Sequence, residues 1–175
     1  MKSRNYAGIS LLASLAACNS ATAETVQKNS TQAPQKPNVI VILADDLGYG
    51  DLKCYGAKNV ETPHVDKLAS EGIRFTNAHT VAATSTPSRY SLLTGEYAWR
   101  RPDTDIAAGD VKMIIRPEQY TMADMFKSAG YATAAIGKWH LGWDWTHKEG
   151  KAKTVDNIGF TKRVANGPTD RGFDY

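Results

Sequence analysis

An alternation of short strand-like segments with capped helical patterns restricts this chain to few folds. The run NVIVILA at residues 38–44 is continuously apolar and has the length of one strand, which is typical of a strand buried on both faces of a parallel sheet. Residues 73–80 and residues 131–137 have a similar strand character. Because helical patterns separate the three runs, the sequence predicts an α/β fold with a mainly parallel sheet flanked by helices.

Helix start and stop signals delimit three segments between the predicted strands. Thr62 suits an N-cap and Gly72 a stop for the amphipathic stretch TPHVDKLASEG. The second predicted helix covers residues 87–93, with Thr86 as its N-cap and proline at its first position. The stretch TMADMFKSAG, residues 121–130, predicts another capped helix.

The N-terminus has the pattern of an export signal. A positively charged start precedes an apolar run over residues 7–17, which is too short to span a bilayer as a stable helix. Two cleavage alternatives remain open. In the favoured one the signal covers residues 1–17 and Cys18 is the lipidated residue of a lipoprotein, whereas in the other an ordinary peptidase site ends the signal at residue 23. Either alternative predicts a protein of the periplasm or the cell surface.

A polar segment separates this signal from the folded part. Residues 18–37 are rich in Ser, Thr, Gln and Ala without apolar periodicity, which predicts a flexible linker before a folded part at residues 38–175. The 21 Lys and Arg residues nearly balance 18 Asp and Glu residues, so the charge gives no reason to expect a nucleic-acid partner. A membrane is expected as a partner only through a lipid anchor at Cys18.

Three polar clusters follow the predicted strands, and the carboxyl ends of such strands meet at one crevice. Asp45 and Asp46 are adjacent carboxylates that repel unless a cation accompanies them, so they predict either a Ca²⁺ or Mg²⁺ site or an ordinary loop and cap. Lys138 and His140 flank Trp139 and project to one side of an extended chain. They could bind an oxyanion and carry protons, or form a solvated turn beside a packed tryptophan.

The stretch STPSRYSLLTG, residues 85–95, places Ser85 and Arg89 at the mouth of a helix, which attracts anions. It resembles the signature of the type I sulfatase family, in which a Cys or Ser is followed by x-Pro-x-Arg and a closing Thr-Gly. The blocks PNVIVILADDLGYGD, TPHVDKLASEGIRFTNAH and AGYATAAIGKWHLG resemble other N-terminal blocks of that family. The resemblance, from about residue 37 onward, implies the alkaline-phosphatase-like α/β fold and hydrolysis of sulfate esters.

The resemblance also implies roles for individual residues. Ser85 would be oxidised by a maturation enzyme to formylglycine, whose hydrate attacks sulfur, expels the alcohol and then releases sulfate through its second hydroxyl. Arg89 would hold the formylglycine, Lys138 would contact it and the sulfate, and His140 would assist its protonation changes. Asp45, Asp46 and Ser85 would belong to the ligands of a divalent metal, usually Ca²⁺, with Mg²⁺ as an alternative.

The family's remaining metal and sulfate ligands are expected downstream of this region, so residues 38–175 are interpreted as a truncated N-terminal part of the sulfatase domain. The expected substrate is a sulfated small molecule or glycan, either a carbohydrate or an aryl sulfate. Two alternatives stay open. One is a phosphoester or phosphonate hydrolase of the same superfamily, and the other is an inactive fragment or a sulfate-binding surface protein.

Overall fold

The computed structural model describes residues 36–175. The predicted signal peptide, residues 1–17 or 1–23, and nearly all of the predicted linker lie outside the described residues. The chain divides into two units, Met1–Ile42 and Leu43–Tyr175, and every helix named below belongs to the second. Within the described part of the chain, no helix is both long enough and apolar enough to span a bilayer.

Helical structure falls where the start and stop signals predict it. Three α-helices are present in the described residues: α1 at Pro63–Glu71, α2 at Ser85–Thr94 and α3 at Met122–Ser128. Five single 3₁₀ turns accompany them, at Tyr49–Asp51, Lys53–Tyr55, Ala98–Arg100, Val155–Asn157 and Pro168–Asp170. The predictions of the first and third helices are confirmed. In α3 the Thr121 side chain accepts from the amide of Asp124 at 3.1 Å, which is the expected N-cap.

The second helix begins two residues earlier than predicted. Thr84 has the extended backbone of an N-cap and its carbonyl accepts from the amide of Ser88 at 3.3 Å, so Ser85 is the first helical residue. The assignment of Thr86 as the cap was therefore wrong, and its side chain is released for other contacts. The other end agrees with prediction, because Gly95 adopts φ +68° and its amide donates to the carbonyl of Ser91.

The predicted strands are not confirmed. Residues 36–175 contain no strand ladder, and their regular β pairing consists of two isolated antiparallel bridges, Asp144 with Ala165 and His147 with Ile158. The three predicted strand segments are irregular and largely exposed, as Ile40, Ile73 and Ile136 illustrate with exposed fractions of 83%, 84% and 88%. A β-branched run becomes a strand only when a neighbouring backbone pairs with it along its length. The backbone of residues 131–137 instead bonds to residues 174 and 175 at Thr133 and Ala135.

The hydrophobic core lies beside α2. Its buried members are Tyr90, Ala98, Ile114, Ile115 and Leu141, with Leu93, Val111, Met113 and Trp139 packed against them. Backbone bonds reinforce this packing, since the amide of Ile114 donates to the carbonyl of Leu141 and the amide of Trp143 donates to that of Val111, both at 3.0 Å. The segment of residues 138–143 is therefore fixed against α2 by apolar contacts and by backbone pairing.

Candidate active site

The Ser85 hydroxyl is the point on which the candidate site converges. Ser85 and Arg89 are four residues apart on α2, so their side chains share one face of the helix. Arg89 Nε donates to Ser85 Oγ at 2.8 Å. The imidazole of His140 reaches the same oxygen from another segment, with 3.0 Å between Nδ1 and Oγ. One guanidinium and one imidazole therefore contact a half-buried hydroxyl at the start of a helix.

Arg89 joins three segments of the chain. Besides the bond to Ser85, its Nη1 donates to the carbonyl of Lys138 at 2.8 Å and its Nη2 donates to Asp45 Oδ1 at 2.9 Å. The side chain is 11% exposed, so the charge is largely removed from solvent. A planar guanidinium with several fixed donors can make such divergent bonds, whereas a lysine ammonium cannot reproduce their geometry.

Asp45 is neutralised by two cations. Lys138 Nζ lies 2.7 Å from Asp45 Oδ2, and Arg89 binds the other carboxylate oxygen. The ammonium of Lys138, followed by the guanidinium of Arg89, holds the pKa of the Asp45 carboxyl below its usual range. Lys138 keeps a side-chain exposure of 46%, so its ammonium is accessible to an anion in solution.

The predicted metal ligands share one pocket. Asp45, Asp46, Ser85 and Arg89 all line it. Two carboxylates and a hydroxyl are hard oxygen donors that suit Ca²⁺ or Mg²⁺, but a Ca²⁺ ion takes about six to eight such ligands. Residues 36–175 contain no group of three His, Cys, Asp or Glu side chains placed to hold a metal. The donors present therefore fit one side of a hard-cation site and do not complete it.

Backbone strain marks two of the site residues. Asp46 has φ +56° and His140 has φ +54°, and Asn166 is the third non-glycine residue with positive φ in the described part of the chain. A non-glycine residue in this left-handed region costs about 1–3 kcal/mol and persists only where its surroundings hold it. At His140 those surroundings include the buried neighbour Leu141.

Two residues that the sequence did not indicate complete the surroundings of His140. The carbonyl of Ala107 lies 3.0 Å from His140 Nε2, and the hydroxyl of Thr86 donates to the carbonyl of His140 at 3.1 Å. Ala107 belongs to a long connection without a clear period, and Thr86 carries the pattern of a helix cap. No signal in the sequence assigns either residue to the site.

An exposed aromatic and cationic cluster follows α2. The rings of Tyr97 and Trp99 stack with centroids 5.5 Å apart, and the guanidinium of Arg100 lies 5.5 Å from the Trp99 ring centroid. Trp99 is 72% exposed. The amide of Ala98 donates to Ser91 Oγ at 3.0 Å, which fixes the start of this turn beside the middle of α2. Six residues separate Ser91 from Ser85, or about 9 Å along the helix axis.

Comparisons with known proteins give one consistent family. The family model described as Sulfatase matches residues 37–175. The chain is 57% identical over 131 residues to the N-acetylgalactosamine-6-O-sulfatase of Bacteroides thetaiotaomicron, covering 75% of this chain and 25% of that relative. It is 48% identical over 119 residues to the steryl-sulfatase of Mus musculus, covering 63% of this chain and 19% of that relative.

Solved structures agree with these relatives. A structure from work on the metabolism of multiple glycosaminoglycans by Bacteroides thetaiotaomicron superposes with a TM-score of 0.71 at 52% identity, covering 81% of this chain and 28% of that one. The structure of Ps i-CgsB in complex with k-i-k-neocarrahexaose gives a TM-score of 0.62 at 32% identity, covering 80% and 27%. The chain thus spans about a quarter of the length of these proteins.

Proposed function

Because this chain belongs to the sulfatase family, we propose that the protein hydrolyses sulfate esters, with residue 85 as the site of covalent catalysis. The overall reaction consumes one water and one ester and yields an alcohol and inorganic sulfate. The observation that carries the proposal is the convergence of Arg89 Nε and His140 Nδ1 on Ser85 Oγ, at 2.8 and 3.0 Å. The matches to named sulfatases support it.

Residue 85 acts after oxidation to formylglycine by a maturation enzyme. As a hydrated aldehyde it supplies a nucleophilic hydroxyl and a second hydroxyl from which sulfate can leave. An unmodified serine lacks the second hydroxyl and would remain esterified. The position of Ser85 at the first residue of α2 places the group where helix amides and the Arg89 charge favour an anion.

The neighbouring charges bind and orient the sulfate group. Arg89 fixes residue 85 through Nε, while Lys138 offers an accessible ammonium to a sulfuryl oxygen. Fixed positive groups stabilise charge that develops on the transferring oxygens without reorganising at the moment of reaction. His140 exchanges a proton with the oxygen of residue 85 through Nδ1, which lies within hydrogen-bond distance.

We also propose a divalent cation, Ca²⁺ or Mg²⁺, at the pocket lined by Asp45, Asp46 and Ser85. When bound it would act as a Lewis acid on an oxygen of the sulfate group. The hard oxygen donors of these residues support the assignment, and water or residues beyond 36–175 would supply the other ligands. A cation there would compete with Lys138 and Arg89 for the Asp45 carboxylate, since both now bind it.

The substrate class is proposed to be a sulfated carbohydrate. The N-acetylgalactosamine-6-O-sulfatase and the neocarrahexaose complex are relatives whose names indicate sugars. In this chain the exposed Trp99 ring and the Arg100 guanidinium beside it have the chemistry that stacks on a sugar ring and pairs with an anionic substituent. This cluster is the chain's own support for a carbohydrate over a simple aryl sulfate.

We further propose that residues 38–44, 73–80 and 131–137 pair as strands of the mainly parallel sheet of an alkaline-phosphatase-like fold. The β-branched run at residues 38–44 and the exposed apolar side chains of all three segments, such as Ile136, favour pairing with partners outside the described contacts. Amide hydrogen exchange on the full-length protein tests this, because paired strands would protect the amides of all three runs.

Export is likewise proposed from the sequence. Cleavage before Cys18 with lipidation would tether the folded part, residues 38–175, to a membrane through the linker at residues 18–37. Intact mass of the mature protein distinguishes this from cleavage after residue 23. A lipid-sized mass increment lost in Cys18→Ala supports the anchor, and an unmodified N-terminus at residue 24 contradicts it.

Turnover of the full-length protein tests the proposed function. Co-expression with a formylglycine-generating enzyme should convert Ser85 with the loss of one H₂ equivalent by mass, and the product should cleave a 6-sulfated N-acetylgalactosamine. Ser85→Ala should abolish turnover, whereas Ser88→Ala should retain it, because the Ser88 hydroxyl donates to the carbonyl of Ala82, which precedes α2. Faster cleavage of an aryl phosphate than of an aryl sulfate would instead indicate a phosphoester hydrolase. Binding of sulfate without turnover and without modification would indicate a binding protein.

A further inference from the structure

The side chain of Thr86 joins three segments around His140. Its hydroxyl donates to the carbonyl of His140 at 3.1 Å and accepts from the amide of Ala107 at 3.1 Å. Thr86 has no exposed surface, so these bonds are shielded from water. A shielded hydroxyl whose donor and acceptor are both used is held in one rotamer, and it holds its two partners in turn.

The position of Thr86 in α2 makes its hydroxyl available for this purpose. Thr84 is the N-cap, so Thr86 is the second helical residue and its hydroxyl is not needed at the helix end. Ser85, the residue before it, presents its own side chain to Arg89 and His140. Neighbouring side chains on a helix point in different directions. Thr86 therefore contacts the backbone carbonyl of His140, whereas Ser85 contacts the imidazole ring.

The imidazole of His140 is fixed at both nitrogens. Nε2 lies 3.0 Å from the carbonyl of Ala107, and Nδ1 lies 3.0 Å from Ser85 Oγ. A carbonyl only accepts hydrogen bonds, so Nε2 must carry the proton. In the neutral ring Nδ1 is then unprotonated and accepts from the hydroxyl of Ser85. The ring therefore presents a lone pair to residue 85.

Thr86 forms hydrogen bonds with both His140 and Ala107, the residue that binds the second ring nitrogen. It binds the carbonyl of His140 itself, which supports the strained backbone at φ +54°. It also binds the amide of Ala107, the residue whose carbonyl selects the ring tautomer. A carbonyl that binds the second ring nitrogen commonly sets which nitrogen is free, and here one threonine hydroxyl fixes the residue that provides that carbonyl.

We propose that Thr86 is a positioning residue that orients His140 and, through Ala107, selects the tautomer with its lone pair directed at residue 85. The catalytic consequence rests on the proposed sulfatase function, whereas the orientation and the tautomer do not. The Thr86 hydroxyl binds the carbonyl of His140 and the amide of Ala107, so its effect is exerted through His140.

Imidazole ¹⁵N NMR of the intact chain with unmodified Ser85 tests the tautomer. The chain contains four histidines, so His140→Gln identifies the His140 signals directly. We expect Nε2 protonated and Nδ1 unprotonated in the wild type and in Thr86→Ser, which retains the hydroxyl. Thr86→Val has a similar shape without the hydroxyl and should give a mixture of tautomers. If Thr86→Val does not fold, Thr86→Ala removes the same hydroxyl without adding a branched methyl.

The control for this measurement is Thr121→Val. Thr121 is 2% exposed and its hydroxyl donates to the carbonyl of Arg171 at 3.0 Å, so it matches Thr86 in burial and in bonding to a distant backbone carbonyl. It should lower stability and leave the His140 signals unchanged. Identical His140 signals in wild type and Thr86→Val would overturn the proposal, as would equal changes in Thr86→Ser and Thr86→Val.

Kinetics of the matured full-length protein test the catalytic consequence. With rates normalised to the fraction of Ser85 modified, Thr86→Val should reduce kcat about 10- to 100-fold with little change in KM, and Thr86→Ser should restore most of it. An unchanged kcat in Thr86→Val despite an altered tautomer would overturn the catalytic part. A wild-type protein that cleaves no sulfate ester would disprove the proposed function instead, and the NMR result would still decide the tautomer.

Discussion

Residues 131–137 and residues 138–143 are consecutive, yet they differ in almost every structural respect. The first segment was predicted as a strand, but it has no strand ladder and its Ile136 is 88% exposed. The second includes Leu141, which has no exposed surface, and the candidate site residues Lys138 and His140. An apolar composition alone therefore does not bury a segment; packing against neighbours and specific hydrogen bonds determine which segment is held in place.

Truncation of one apolar side chain in each segment gives the largest expected contrast. Leu141→Ala should lower the free energy of unfolding by about 2–5 kcal/mol, because the methyl groups removed leave a cavity beside Tyr90 and Ile114. In the 175-residue chain, Ile136→Ala should change it by less than about 0.5 kcal/mol, because the side chain is exposed there; the sheet pairing proposed above concerns the full-length protein. Urea unfolding of both variants measures the contrast. A comparable loss in Ile136→Ala would mean that residues 131–137 are buried in solution.

Glycine substitutions compare the backbones of the two segments. A Cβ at Gly142, where φ is +81°, would overlap the carbonyl of Lys112, whereas a Cβ at Gly137, where φ is +108°, meets nothing within 4 Å. Both substitutions carry a conformational cost of about 1–3 kcal/mol, and Gly142→Ala adds a clash with backbone. Thermal unfolding should therefore rank Gly142→Ala well below Gly137→Ala. Equal melting temperatures would show that residues 138–143 are not held against Lys112.

Removing a tyrosine hydroxyl compares the stability contributed by a buried hydrogen-bond network with that of an exposed hydrogen bond. Tyr90 is buried, and its hydroxyl donates to Glu96 Oε2 at 2.6 Å and accepts from Gln119 Nε2 at 2.9 Å. The Tyr90 hydroxyl holds the pKa of the Glu96 carboxyl below its usual range, and burial raises the pKa of Tyr90. Tyr90→Phe should cost about 1–2 kcal/mol, since one partner is charged.

The control for that network is Tyr120→Phe. Tyr120 is 60% exposed and its hydroxyl lies 3.0 Å from Ser128 Oγ, so its loss should cost under about 0.5 kcal/mol. Chemical denaturation at neutral pH compares the two variants. If Tyr120→Phe proved the more destabilising, the assignment of the core to the side of α2 would have to be abandoned.

The smallest expected effect concerns the pH dependence of residues 131–137. The ammonium of Lys127, followed by the amide of Thr133, holds the pKa of the Asp174 carboxyl below its usual value of 3.8. A lowered folded pKa contributes stability that is complete above the unfolded pKa and is lost as pH falls through the folded pKa. The protection of the Thr133 and Ala135 amides, meaning the intrinsic exchange rate divided by the observed rate at each pH, should therefore fall below about pH 4 in the wild type.

Asp174→Asn should show this lower protection already at neutral pH, and its protection at these amides should no longer change below about pH 4. The amide of Ile114, which pairs with Leu141, should respond to neither change. The exposed Asp156 forms no salt bridge in the described part of the chain, so Asp156→Asn is the matched control and should leave exchange at Thr133 unaltered. Faster exchange at Ile114 in Asp174→Asn would show that the two segments are coupled.

Much of the local structure could be predicted from the sequence. Start and stop signals predicted α1 and α3, and in α3 the Thr121 cap acts through a bond to the amide of Asp124 in its own helix. The family signature at residues 85–95 led to the sulfatase family, which the family model confirmed over residues 37–175. The Ca²⁺ or Mg²⁺ ligands and the roles of Ser85, Arg89 and Lys138 remain predictions.

Local sequence patterns were enough to predict α1, α3, the family and the residue types of the candidate site, since each depends on neighbours close in the chain or on a contiguous motif. The tertiary structure alone decided that Thr86 contacts His140 instead of capping α2, and that Ala107 provides a carbonyl to the ring. It also decided which apolar segments are buried. The physical reason is that burial and long-range hydrogen bonds depend on which distant segments pack together, and a local sequence pattern does not specify those contacts.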